Sequence, residues 1–202
     1  MHQKIRRCAT VLAYGAIVLS GACQAGTPIA PEASADAFVE LLGANPAGPL
    51  TRSFTVTAPP QGEDNRCAAP DGRNADPQRQ RNLIPYAADG APSVDMALQF
   101  DTGSDRVLPD AARQLGELAK ALNDARLAGA RFAIAGHTDA TGDESVNRML
   151  SCARALSVRK YLIQKGVAAY RIAAFGFGSG QRVEPTGGES ARNRRVEIRR
   201  AP

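Results

Sequence analysis

Residues 131–166 read RFAIAGHTDATGDESVNRMLSCARALSVRKYLIQKG. The first six, Arg131–Gly136, alternate with Phe132 and Ile134 on one side, the signature of a strand. A run of small and polar residues follows. From Ser145 to Lys165 the pattern turns helical, with Leu150, Val158, Tyr161 and Leu162 as its apolar positions. Gly166 is placed to stop that helix, because glycine takes the left-handed conformation a helix end uses. Upstream, Val94, Met96, Leu98 and Phe100 alternate strictly and predict another half-buried strand. Pro109 stands where a helix can begin, and Leu115, Leu118, Ala119 and Leu122 follow at helical spacing. Downstream, Arg171–Phe177 predicts a third strand. A loop rich in Gly176, Gly178, Gly180, Gly187 and Gly188 leads to a last strand over Arg194–Arg199. Strands alternating with helices predict an α/β sandwich over residues 93–200, one sheet with helices packed on one face.

Residues 26–92 are different in kind. They hold most of the chain's 13 prolines, with polar stretches between them. They read as a weakly ordered linker with a small structured patch. Ala35–Leu42 predicts a short helix with Phe38, Leu41 and Leu42 on one face. Arg52–Thr57 alternates like a strand through Phe54 and Val56. Amphipathic strands before residue 90 are far too few for an outer-membrane barrel.

Residues 1–25 read as an export signal: Lys4, Arg6 and Arg7, then an apolar run from Ala9 to Leu19, then Ser20, Gly21 and Ala22. That run is shorter than the roughly 20 residues a bilayer span needs. Leu19-Ser20-Gly21-Ala22-Cys23 resembles a bacterial lipobox, although Ser20 stands where Leu is usual. In that reading Cys23 carries the lipid, and Gln24 after it favours the outer membrane. Ordinary cleavage near Ala25, giving a soluble periplasmic protein, remains the alternative. Cys67 and Cys152 form a pair that an oxidising compartment could join, and spacing leaves open whether they meet. Cys152 by itself reads as a buried small residue.

Of 202 residues, 44% are hydrophobic and 5% aromatic, with no Trp, so the core is aliphatic. The net charge is +5, part of it carried by the signal. No dense basic stripe interleaved with aromatics is present, which argues against a nucleic-acid partner. Arg194, Arg195, Arg199 and Arg200 read as a solvated strand face, with Arg194 the exception.

The spacing Gly136-His137-Thr138-Asp139, Gly142, Asn147, Leu150-Ser151, Arg154-Ala155, Val158 and Tyr161-Leu162 continues in Gly176, Gly178 and Asn193-Arg194-Arg195-Val196-Glu197-Ile198. Phe100-Asp101 and Ser104 open it. This pattern resembles the OmpA-like peptidoglycan-binding domain of porin-like proteins, the Pal lipoprotein and flagellar stator proteins. The resemblance implies one mixed sheet in βαβαβ-type order. It also implies a ligand, the diaminopimelate of the peptidoglycan stem peptide. A carboxylate and a guanidinium reaching one pocket receive a zwitterion: Asp139 pairs its ammonium, and Arg154 clamps its carboxylate with two parallel hydrogen bonds. Thr141, Asn147 and Arg194 match supporting positions of that pocket. Gly103 departs from relatives that place Asn there, so contacts at that edge fall to its backbone or to Ser104.

The same residues allow plainer readings. Asp139 and Arg154 alone could be a structural ion pair. His137 is the one histidine outside the signal, and a metal site needs about three or four protein ligands. It therefore reads as a structural or pocket-wall residue. Neither a metal, a cofactor nor catalysis is expected. The predicted function is non-catalytic tethering of the outer membrane or an envelope complex to the cell wall. The alternatives are an envelope scaffold that docks protein partners, or a cell-wall hydrolase built on His137 with Asp139 or Glu144.

Overall fold

The computed structural model describes residues 26–43, 67, 84, 86, 91–183 and 189–201. The export signal with Cys23, the strand expected at 52–57, and Gly187 and Gly188 lie outside these residues. The elements run β1 (Thr27–Pro28), α1 (Ala35–Gly43), β2 (Ser93–Met96), α2 (Pro109–Leu122), β3 (Phe132–Gly136), α3 (Glu144–Gln164), β4 (Ile172–Gly176) and β5 (Val196–Arg200). They form one sheet in the order β1-β2-β5-β3-β4. β5 is antiparallel to both β2 and β3, whereas β3 and β4 are parallel. Parallel neighbours need a long crossover, and α3 supplies it. The mixed α/β sandwich read from the sequence is the fold observed.

Strand alternation sorts the side chains. Val94, Met96, Phe132, Ile134, Ile172, Val196 and Ile198 face the helices, where they meet Phe38, Leu42, Leu115, Leu118, Leu122, Val158 and Leu162. Each such side chain, fully buried, stabilises the fold by about 1.5–3 kcal/mol relative to exposure. Ala133, Ala135, Phe175 and Phe177 form a second cluster with Tyr86. α3 starts on the Asp143 carboxylate, which accepts from the backbone of Ser145 and Val146. It ends before Gly166 at φ +91°. That is within one residue of each expected boundary.

Three features differ from the sequence reading. The strand expected to run from Val94 to Phe100 stops at Met96, because Met96 pairs with Val196, the first residue of β5, and no partner continues. Leu98 still turns into the core and Phe100 packs against it. The last strand starts at Val196 rather than Arg194, which instead closes a short helical turn over Ala191–Asn193. The folded unit also takes in segments from before residue 93. β1 pairs with β2, and α1 buries Phe38, Val39 and Leu42 in the common core, with Leu41 only half-buried. Cys67 and Cys152 are joined in a disulfide, and Cys67 donates its backbone N–H to Ala174 of β4 at 3.1 Å. Cys152 is thus a cross-link to the 67 position rather than a lone buried thiol.

Candidate ligand-binding site

The loop after β3 is pinned from several sides. His137 donates its backbone N–H to Arg195 at 3.0 Å, and Thr138 donates to Gly178 at 2.9 Å. Asp139 closes a local turn by accepting from the Thr141 N–H at 3.1 Å, as Asp side chains do in loops. Asn147, one turn into α3, reaches back with its amide to the carbonyls of Asp139 and Thr141, at 3.4 and 3.0 Å. Asn147 is buried and Thr141 exposed. The amide therefore holds the shape of the loop that carries Asp139.

Two turns further along α3, Arg154 is buried, with 8% of its surface exposed. Its Nε donates to the Ser104 carbonyl at 3.0 Å and its Nη2 to the Asp101 carbonyl at 3.4 Å. The guanidinium lies 4.9 Å from the centre of the Phe100 ring, a favourable cation–π distance. Gly103, between those carbonyls, sits at φ +67°, a region that glycine and asparagine share most readily. Burial lowers the Arg154 pKa, as does the charge of Arg194, against the opposing pull of Asp139 and Asp105. Among the described residues Arg154 takes part in no salt bridge. The Asp139–Arg154 ion pair, one plain reading of the sequence, does not form.

Asp139 instead pairs with Arg194, whose Nη1 donates to Oδ2 at 2.7 Å. Burial works against the Asp139 carboxylate, but the hydrogen bonds from Arg194 and Thr141 outweigh it and hold its pKa below the ordinary value. A cavity of about 350 Å³ opens beside this pair, between residues 97–100 on one wall and Ala191, Arg194 and Arg195 on the other. His137 and Arg154 complete its lining, and Asp139 is not part of it. Of the five expected site residues, Arg154 and Arg194 therefore face the cavity. Asp139, Thr141 and Asn147 are not in its lining.

The arginines near the C-terminus reverse the expectation of a solvated face. Arg195 and Arg199 are buried at 6% and 4% exposure, whereas the side chain of Arg194 is 49% exposed. The face of β5 opposite the helices holds Glu197, which accepts from Tyr86 Oη at 2.9 Å and from Arg199 Nε at 2.6 Å. His137 Nε2 lies 3.4 Å from the same carboxylate, and its ring stacks on Phe177. Arg195 pairs with Asp95 at 3.2 Å. The spacing of Arg195, Glu197 and Arg199 does place them together on the side away from Val196 and Ile198. A period of two cannot say whether that side meets solvent.

This cluster makes stability sensitive to acid. Burial pushes the His137 pKa down to about 4 from 6.5, so His137 is neutral at neutral pH. Burial would raise Glu197, but its bond to His137 and the charge of Arg199 bring it down to about 2. Both folded-state values lie below the unfolded ones, so the unfolded chain binds more protons as pH falls. The stability that His137 and Glu197 contribute is complete above about pH 6.5 and falls progressively from there toward pH 2, the His137 part going first, between about 6.5 and 4. Urea unfolding at pH 7.5, 5.5 and 4.5 tests this. A denaturation midpoint that stays constant across that series contradicts it.

The fold and the cavity define a class: a single-sheet α/β domain with an arginine-lined cavity beyond the end of the β2–β5 pairing. The particular family follows from comparison. Residues 99–195 match the model of the OmpA family. The chain is 35% identical over 106 residues to outer membrane porin F of Pseudomonas fluorescens, covering 52% of this chain and 32% of that one. It is 47% identical over 74 residues to the peptidoglycan-binding protein ArfA of Mycobacterium tuberculosis, covering 34% and 22%. The chain thus spans a third or less of the length of these relatives. The periplasmic domain of Helicobacter pylori MotB superposes with a TM-score of 0.47 at 24% identity, over 54% of this chain and 80% of that one.

Proposed function

We propose that this domain is a non-catalytic module that binds peptidoglycan through the diaminopimelate of its stem peptide and ties the cell envelope to the wall. The observation that carries the reading is Arg154: a buried guanidinium, anchored by two backbone carbonyls, facing a cavity without a carboxylate partner. Such a group is built to receive an anion from outside. Asp139 is the acidic half of the receptor, and Arg194 stands between the two. Thr141 and Asn147 shape the loop that presents Asp139. His137 has its Nε2 against Glu197 in a buried cluster, an arrangement that suits structure better than proton transfer. A relative named for peptidoglycan binding and another named as an outer membrane porin support the same reading of substrate and place.

The test is co-sedimentation of the full chain with diaminopimelate-type sacculi. The wild type is expected in the pellet, and Asp139→Ala and Arg154→Ala in the supernatant, with circular dichroism showing the fold intact. A folded wild type that stays in the supernatant overturns the reading and leaves partner docking as the better one. Clearing of sacculus turbidity would instead make the protein a hydrolase. Outer-membrane attachment through a lipid on Cys23 belongs to the same proposal. Cys23→Ala is expected to move the protein from the membrane fraction to the soluble one, and unchanged fractionation removes the anchor.

A further inference from the structure

The two halves of the proposed receptor are not equally accessible. Asp139 has both carboxylate oxygens engaged, Oδ2 by Arg194 at 2.7 Å and Oδ1 by the Thr141 N–H at 3.1 Å. Its side chain is 13% exposed. The cavity is lined by three guanidinium groups, those of Arg154, Arg194 and Arg195, and by no carboxylate. An ammonium group entering it therefore meets only positive charge.

The three arginines are held in different ways. Arg154 is fixed by the carbonyls of Ser104 and Asp101, and Arg195 by Asp95 and the carbonyl of Gln181. Arg194 has its side chain half in solvent, on a residue that ends a helical turn rather than lying in β5. Among the described residues, its only hydrogen bond besides that to Asp139 goes to the Glu189 carbonyl, at 3.4 Å. Partly exposed ion pairs of this kind are weak. Of the three, Arg194 is the one that can let go.

We propose that the Asp139–Arg194 ion pair is the resting state of the pocket, and that ligand binding is an exchange of ion pairs. The ligand's ammonium takes the place of Arg194 on Asp139. Its carboxylate receives the released Arg194 beside Arg154. Two salt links within the empty protein and the solvated ligand become links between them, so no charge is left buried alone. This rests on the zwitterion reading above and adds a selectivity rule to it. A ligand with only the ammonium cannot displace Arg194, because nothing compensates the released guanidinium. A ligand with only the carboxylate must draw Arg194 off and leave Asp139 without a counter-charge. Both charges must arrive on one molecule.

The experiment is isothermal titration of the full chain with three probes: meso-diaminopimelate, 1,5-diaminopentane (ammonium only) and pimelate (carboxylate only). It is run on the wild type and on Arg194→Gln, and the arginine Nε–Hε resonances are followed by NMR. The wild type is expected to bind diaminopimelate at least about 10-fold tighter than either single-charge probe. Arg194→Gln frees Asp139, so diaminopentane is expected to gain about 10-fold while diaminopimelate weakens, and the gap between them narrows. The Arg194 resonance, identified by its loss in Arg194→Gln, is expected to shift both on saturation with diaminopimelate and in Asp139→Asn. If wild type binds diaminopimelate but Arg194→Gln keeps the same discrimination, the exchange is overturned while the pocket stands. Equal weakening toward all three probes makes Arg194 a plain clamp and also overturns it. A wild type that binds no diaminopimelate defeats the pocket reading and the exchange together.

Discussion

Arg154→Lys binds diaminopimelate about 100-fold more weakly than the wild type, close to the loss in Arg154→Ala, although it keeps the charge. The reason is the division of labour within one guanidinium. Nε and one hydrogen of Nη2 are spent on the carbonyls of Ser104 and Asp101. The other N–H groups of the fork remain for a ligand carboxylate, held in the plane the carbonyls and the Phe100 ring impose. A lysine ammonium is one nitrogen on a flexible stem. It can satisfy the carbonyls or meet the ligand, and it cannot offer two parallel bonds. Charge-assisted hydrogen bonds contribute about 1.5–3 kcal/mol each, so loss of the fork is worth roughly the stated factor. Isothermal titration of both variants reads it directly. A loss below about 5-fold in the lysine variant would mean that Arg154 acts only as a point charge.

Gly136→Ala destabilises the domain by about 3 kcal/mol, and weakens ligand binding as well. Gly136 and Gly176 are paired neighbours at the ends of β3 and β4. α3 crosses directly over them. A Cβ on Gly136 would overlap the Ser151 carbonyl, and one on Gly176 would lie 2.8 Å from the Cys152 backbone nitrogen. Those neighbours are helix backbone, which cannot rotate aside as a side chain can. The whole helix must lift from the sheet. Arg154 and Asn147 lie one turn to either side of Ser151, so the lift misplaces both. Urea denaturation gives the stability loss, and titration of the folded variant gives the binding loss. A destabilisation under about 0.5 kcal/mol would show that α3 adjusts freely and would refute the close-packing account.

Much of this molecule was legible before any coordinates. The bounds of α3 are local: the apolar spacing sets its register and Gly166 stops it. Asp139 and Arg154 stand out in the sequence because they fall at matching places in a long, specific pattern. That pattern put Asp139 after a strand and Arg154 on the next helix, which the fold bears out. Ala35–Leu42 was legible as a helix, because its period of 3.6 residues is local as well.

Other decisions needed the tertiary structure, and each involves a partner distant in sequence. The alternation from Val94 to Phe100 reads as one strand, yet pairing ends at Met96 because β5 begins only at Val196. Periodicity records which way a side chain points and is silent on what lies there. For that reason Arg195 and Arg199 looked like solvent-facing residues and are buried around Glu197 and Asp95. The link between Cys67 and Cys152 spans 85 positions, and composition could offer the pair without joining it. The partner of Asp139 is the same kind of case. The resemblance to the OmpA-like pattern named Asp139, Arg154 and Arg194 as one expected site. Only the fold decided that Arg154 is held by neutral carbonyls while Arg194 takes the carboxylate, because that choice depends on the path of two loops brought together by the sheet.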